Sequence, residues 1–341
     1  MNEKLKIFLK IFAIPAASIL SLVILVFIFS KTPARTFYFF LTGPFSNIYN
    51  FGNMLNASSL FIFGALGISI SMKAGSLNLG GEGQVYLGAF CTAAAAFILS
   101  GFGVIGIILS LLAGILSAAA MASFSGICKA RWNINELITS FLLSCAIIPV
   151  VNYLVTGPFL DPQTSLLSTK KIAKSMHLAL ILKPSDLNYG AILAVFAVIL
   201  SHFFLYRSKT GYEMRVTGSS EMFARYGGIN TKLNIVLAMA VSGGFYGLAG
   251  SAAVLGTYHC VIKEFSSGLG WNALTVALLA DFSIPAVIPA AVFFAWIEAG
   301  ARIAMQNTGL SHEVASIVQA VIIFLCASKA FKNIIFRRKE R

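Results

Sequence analysis

Charge is what this sequence has least of. Asp, Glu, Lys and Arg make up 11 % of its 341 residues, against roughly 25 % in an ordinary soluble domain. Acidic residues are scarcest, 12 against 25 basic ones, and the net charge of +13 follows mainly from that shortage. A soluble globular chain is excluded, and the basic excess needs no nucleic-acid partner, because basic connections between apolar runs suit loop topology and anionic lipid headgroups. The patterns that announce catalysis are missing as well. No GxxxxGK[ST] occurs, and the glycines of GGEGQ (80–84) lack the lysine and hydroxyl with which a P-loop cradles phosphates. HExxH and GxSxG are absent, and the histidines (His177, His202, His259, His312) are far apart in sequence. The cysteines (Cys91, Cys128, Cys145, Cys260, Cys326) show no CxxC spacing and read as buried apolar thiols. No enzymatic site, metal or cofactor is expected.

Hydrophobicity is what the chain has in quantity: 58 % of residues, with a mean hydropathy of +0.85. It reads as an all-α polytopic membrane protein, one transmembrane domain over 1–341. Apolar runs are expected to cross at about 11–29, 57–72, 85–99, 104–127, 136–155, 189–206, 233–255, 271–281, 284–305 and 313–328, ten spans of the length a bilayer asks for or slightly less. The first run is too long for a cleavable signal and is read as retained. Residues 30–56, rich in aromatics, read as a short surface-lying segment. Residues 157–188 read as the longest aqueous loop. Ten crossings put both termini on one side, and the density of Lys and Arg in the connections makes that side cytoplasmic.

Lys73 to Gln84, KAGSLNLGGEGQ, is the stretch around which the spans are organised. Gly75, Gly80, Gly81 and Gly83 make a continuous helix costly here, so a break is expected. Irregular backbone at membrane depth must be satisfied by protein or by a water-filled cavity. Asn78, Glu82 and Gln84 add polar groups, and a tight cytoplasmic turn or a solute path both fit them. Glu298 and Arg302, four apart, share a helix face and neutralise one another. In SGGFYGLAGS (242–251), Gly243 and Gly247 suit close helix approach. Trp271 serves as an interfacial anchor or stacks on a planar solute. The 207–232 segment carries both charge signs, and Ser219 or Ser220 caps a short helix over 221–226 that Gly227 and Gly228 stop.

Four motifs taken in order resemble the membrane permeases of bacterial ABC importers for simple sugars and nucleosides. AGSLNLGGEGQVYLGA (74–89) is similar to the family's FNIGxEGQ, NELITSFLL (135–143) to NEVxxTLML, GYEMRVTGSSEMFARYGGIN (211–230) to GxxxRAxGxNxxAAxYxGI, and SSGLGWNALTVALLA (266–280) to GxGFxxIAVALLG. The EGQ, the NELIT pattern and MQNTGLSHEVASIVQAVIIF (305–324) favour the nucleoside branch. The chain departs from the pattern at Leu77, at Ser219 and Ser220, and at Asp281. The resemblance implies an ABC importer permease fold of about ten helices with a broken segment, in a bacterial inner membrane. It implies a separate cytoplasmic ATPase, a second permease, identical or homologous, and an extracytoplasmic substrate-binding protein. Gly218 to Ile229 would couple to the ATPase, through Gly218, Glu221, Phe223, Arg225 and Tyr226. Asn78, Glu82, Gln84, Trp271 and Asn272 would lie at or behind the substrate path, with a nucleoside, a sugar or a riboflavin-like solute as cargo. An ion-coupled secondary transporter with Glu82 and Asp281 as proton sites is the competing reading.

Overall fold

A computed structural model describes residues 32–309, with Ile317 and Ala320. The spans expected over 11–29 and 313–328 lie outside the described residues, apart from those two positions, as does the basic tail over 329–341. The helices are α1 (Pro33–Thr42), α2 (Ile48–Lys73), α3 (Gly81–Ile98), α4 (Gly103–Trp132), α5 (Glu136–Thr156), α6 (Gly190–Arg207), α7 (Lys209–Ser219), α8 (Glu221–Tyr226), α9 (Thr231–Ala253), α10 (Leu269–Leu279) and α11 (Val287–Thr308). A two-stranded hairpin, β1 (Leu180–Leu182) and β2 (Leu187–Asn188), precedes α6.

Six of the eight spans expected within the described residues are long and apolar enough to cross a membrane: α2, α4, α5, α6, α9 with its extension to Tyr258, and α11 with the turn before it. Those six are established; a count of ten is not. The helix expected over 271–281 has 11 residues, Leu269–Leu279, about 16 Å at 1.5 Å per residue, half of a hydrocarbon core. Backbone conformation bounds it on both sides, since Gly268 (φ +90°) precedes it, and Asp281 (φ +50°) and Phe282 (φ +54°) end it. An apolar composition could not reveal those left-handed positions.

The chain divides into two compact units, 1–54 with 292–341, and 55–291. In the first, residues 32–54 are more than a surface-lying segment. Pro33 opens α1 at a position where its missing N–H costs nothing, and Phe40 is buried with its ring edge-on to Trp296. The Trp296 indole donates to the Leu41 carbonyl at 3.1 Å. Arg302 and Glu298 pair at 2.9 Å on one face of α11, as their spacing requires.

The second unit is built on α9. A Cβ placed on Gly243 would lie 2.5 Å from the Ala118 carbonyl oxygen, on Gly247 2.3 Å from that of Gly114, and on Gly250 2.1 Å from that of Val85. Only glycine lets α9 meet α4 and α3 at that distance, so the small-residue seam expected over 242–251 is a packing face. Ser251 and Thr92 close it with a 2.6 Å hydroxyl contact. α2 is apolar on all sides, and 89 % of its best membrane window is buried in protein, against 22 % for α4 and for α5. It is therefore a largely buried helix, whereas α4 and α5 leave broad apolar surfaces exposed.

The 157–189 connection, expected as the longest aqueous loop, is tied down along its length. Backbone bonds from Thr169 to Val261 (2.9 Å), Ile172 to His259 (2.8 Å), Leu178 to Leu255 (2.9 Å) and Lys263 to Leu167 (2.8 Å) stitch it to the segment after α9.

Candidate functional site: the break between α2 and α3 and the charged helices beside it

The glycine-rich stretch breaks the helix over residues 74–80. α2 ends where Gly75 turns left-handed (φ +75°) and the Ser76 amide reaches back to the Ser71 carbonyl at 3.0 Å, the usual way a glycine closes a helix. The freed backbone donors are then taken up by neighbouring helices. Leu79 N–H donates to the Ser140 hydroxyl (3.1 Å) and Gly83 N–H to the Ser144 hydroxyl (2.7 Å). These two serines are four apart on α5, one above the other on a single face. From the other side, the Lys129 ammonium at the end of α4 donates to the Gly75 carbonyl (2.9 Å), the Ser76 hydroxyl (3.0 Å) and the Glu136 carboxylate (2.7 Å). All three of its protons are used, and much of an irregular backbone between two apolar helices is thereby given protein partners.

Asn78 and Gln84 are fully buried and face each other as a reciprocal amide pair, with Asn78 Nδ2 to Gln84 Oε1 at 2.8 Å and Gln84 Nε2 to Asn78 Oδ1 at 3.0 Å. Asn78 also donates to the Ser242 hydroxyl of α9 (3.1 Å) and accepts from Gly80 N–H (2.9 Å). Its donors and acceptors are all committed. Glu82 sits at the start of α3 and spans to the opening of α10, where Oε1 accepts from Gly268 N–H (2.8 Å) and Oε2 from Gly270 N–H (2.9 Å). A carboxylate on two unpaired amides at a helix N-terminus is favoured by both hydrogen bonding and the helix dipole. Gly270 makes the approach feasible, since a Cβ there would lie 2.4 Å from the Glu82 nitrogen.

Trp271 follows on α10, 45 % exposed, with its ring edge-on to Phe141 at 6.2 Å. Asn78, Leu79, Glu82, Tyr246, Gly270, Trp271 and Leu274 line a recess of about 10 Å³, room for about one water and far below the roughly 300 Å³ at which small-molecule pockets begin. Asn272 lies beside Trp271, and its amide N–H donates to the Gly268 carbonyl (2.8 Å). Asp281, by contrast, is exposed beyond the far end of α10. The helix separates it from Glu82, so the two carboxylates do not form one site.

The 207–232 segment folds as two helices. Ser208 caps α7 and Ser220 caps α8, its hydroxyl accepting from Phe223 N–H at 3.3 Å. The short helix runs over Glu221–Tyr226 and stops at Gly227 and Gly228, the latter at φ +76°, as its sequence required. Glu221 and Arg225 are bound to each other at 2.6 Å, and Arg225 Nε also donates to the Thr231 hydroxyl (3.2 Å). Met222 and Phe223 are each 69 % exposed and Tyr226 86 %. Gly218 points the other way. A Cβ there would lie 2.2 Å from the Lys73 carbonyl oxygen and 2.7 Å from the Gly75 nitrogen, so the segment that bears α8 rests directly on the break.

Ser140, Ser144, Ser242 and Lys129 hold the break and were not singled out from the sequence. The i, i+4 hydroxyls of NELITSFLLS were the available signal. His177 and His259 were read as isolated, yet their rings stack at 3.6 Å, 4° from parallel, where the 157–189 cap meets the end of α9.

Apolar spans, an internal helix break braced by neighbouring helices, and an exposed helix in a charged connection mark a multi-pass membrane protein. Residues 50–327 match the family described as "Branched-chain amino acid transport system / permease component", and the chain belongs to it. It is 33 % identical to the probable riboflavin import permease protein RfuC of Treponema pallidum over 88 % of this chain and 80 % of that one. It is 28 % identical to the guanosine ABC transporter permease protein NupP of Bacillus subtilis, covering 88 % and 87 %. It is 25 % identical to the nucleoside ABC transporter permease protein NupB of Lactococcus lactis, covering 96 % and 92 %.

Proposed function

We propose that this chain is the membrane subunit of an ATP-driven importer in a bacterial cytoplasmic membrane, with both termini inside. Its solute is a nucleoside, or a riboflavin-like or sugar molecule of related polyol chemistry. The observation that carries the proposal is α8, which exposes Met222, Phe223 and Tyr226 in a segment whose other side, through Gly218, bears on the break. A soluble surface seldom exposes three large apolar residues in one short helix without a partner to bury them. The partner is a separate cytoplasmic ATPase, and Glu221 and Arg225 frame the contact. Nucleotide binding displaces α8, Gly218 passes the displacement to residues 73–75, and Lys129 and Glu136 pass it to α4 and α5. Two such permeases, identical or homologous, then exchange inward- and outward-facing states, supplied by a substrate-binding protein outside.

Asn78 and Gln84 act behind the path, holding the break. The solute meets the exposed face of Trp271 and its neighbour Asn272, where a planar base stacks on the indole. The small recess becomes a solute site only when a second permease completes it. The relatives named for guanosine, nucleosides and riboflavin favour a planar heterocycle bearing a polyol. Uptake of labelled guanosine, riboflavin and glucose into vesicles of cells expressing the complex tests the reading. ATP-dependent accumulation of one of them, unaffected by collapse of the proton gradient, is expected. Accumulation that follows the gradient with ATP absent would restore the ion-coupled alternative.

A further inference from the structure

At the end of the second unit that carries α8, a cleft of about 360 Å³ opens between the last turn of α4, α8 and the first turn of α9. Lys129, Arg131, Arg225 and Lys232 line it, with Glu221 as the lining carboxylate. Lys129 is held by Glu136 and Arg225 by Glu221. The side chains of Arg131 and Lys232 have no hydrogen bond or ion pair to another described residue, so two positive charges are left unbalanced. Arg225 uses two of its five N–H donors and keeps the rest. Lys232 stands in the first turn of α9, where the helix dipole adds to the positive field. A cleft of this size and sign calls for an anion with several acceptor oxygens.

Position narrows the anion further. α4 ends at Trp132 and α9 begins at Thr231, and both are membrane-length helices, so the cleft lies at the level where spans leave the hydrocarbon. Each unbalanced cation is followed by an exposed apolar residue: Trp132 (62 %) after Arg131, and Leu233 (53 %) after Lys232. Cation and apolar surface thus alternate at headgroup depth, the pattern that suits a ligand with a phosphate at one end and acyl chains at the other. We infer that this cleft binds the phosphate headgroup of an anionic phospholipid of the surrounding leaflet, held by Arg131, Lys232 and the spare donors of Arg225. Lipid in the cleft would brace α8 against α4 and α9 while leaving Phe223 and Tyr226 free. The inference rests on the cleft and on the membrane level of the helix ends, not on the importer reading.

The test uses the delipidated full-length permease in neutral detergent, with dioleoyl phosphatidylglycerol, dioleoyl phosphatidylcholine and glycerol 3-phosphate as probes. Binding is read by native mass spectrometry and by the shift in thermal unfolding. Phosphatidylglycerol is expected to bind saturably and raise the midpoint, the other two not. Arg131→Gln with Lys232→Gln should weaken that binding about thirtyfold, the weight of two basic contacts at a membrane surface. Arg131→Lys with Lys232→Arg should preserve it, which separates lost charge from a damaged fold. Equal binding of phosphatidylcholine, or unchanged phosphatidylglycerol binding in the glutamine pair, would overturn the inference. So would glycerol 3-phosphate binding as tightly as the lipid, which would make the ligand a soluble phosphate. Loss of ATPase co-purification in the glutamine pair without any lipid binding would make the cleft a protein contact and would overturn it too.

Discussion

Glu82 offers the sharpest perturbation, because its two carboxylate oxygens are each bound to a separate amide at the start of α10. Glu82→Gln is nearly isosteric. It keeps one neutral acceptor but turns an NH₂ group toward the second amide, so one bond is lost, the other loses its charge assistance, and a partly buried N–H is left without a partner. A hydrogen bond to a charged group contributes about 1.5–3 kcal/mol, and the carboxylate's interaction with the helix N-terminus a further ~0.3–1 kcal/mol. The expected loss is about 2–4 kcal/mol. At about 2–4 °C per kcal/mol for a large domain, the midpoint should fall by roughly 4–16 °C. The assay is thermal unfolding of purified protein in detergent, with Asp281→Asn as the comparison. Asp281 is exposed, and its change should stay within about 0.5 kcal/mol. If Glu82→Gln unfolds at the wild-type temperature while transport is abolished, the carboxylate is not a brace for α10, and a proton-binding role regains standing.

Gly218→Ala places a methyl group against backbone at Lys73 and Gly75; it should cost about 1–3 kcal/mol, and ATP-driven uptake should fall several-fold with the protein still inserted in the membrane, read by transport beside expression level. Wild-type uptake would show that the contact transmits nothing. At the edge of the 157–189 cap, burial first, then the positive neighbours His177 and Lys171, push His259 down to about 4. Unfolded histidine titrates near ~6.5, so between that pH and about 4 the unfolded chain takes up a proton that the folded one refuses. Stability therefore falls as pH drops through that window. His259→Asn, which tolerates the left-handed backbone at this position (φ +57°), should flatten the dependence of unfolding temperature on pH between 7 and 4. An unchanged slope would place the acid sensitivity elsewhere.

Much of this fold was legible because its determinants are local. Four glycines in a window of membrane-length neighbours announce a break, Ser220 followed by Glu221 and a glycine pair announces a short capped helix, and Glu298 with Arg302 is a matter of helical pitch. What was hidden depends on contacts between distant parts of the chain. Glu82 has spacing that suggests a solute ligand, and only the arrival of residues 268–270 turns it into a helix cap. Asn78 and Gln84 offered amides to a sugar on paper, but the fold turns them toward each other and toward Ser242. The short α10 was read as a span because composition registers apolarity and not the positive φ values at Gly268, Asp281 and Phe282. The His177–His259 stack required the long loop to fold back over the end of α9, which no spacing rule encodes.

Docking of a separate ATPase through α8 is the central claim, and co-purification tests it most directly. The tagged permease would be drawn from native membranes in mild detergent and its companions identified by mass spectrometry, beside a Phe223→Ala, Tyr226→Ala variant. The account predicts a nucleotide-binding ATPase with the wild-type chain, in the company of a second permease, and its loss or at least tenfold depletion with the variant, the scale of two exposed aromatic anchors at an interface. Recovery of the wild-type permease without an ATPase, or an ATPase retained undiminished by the variant, would contradict it.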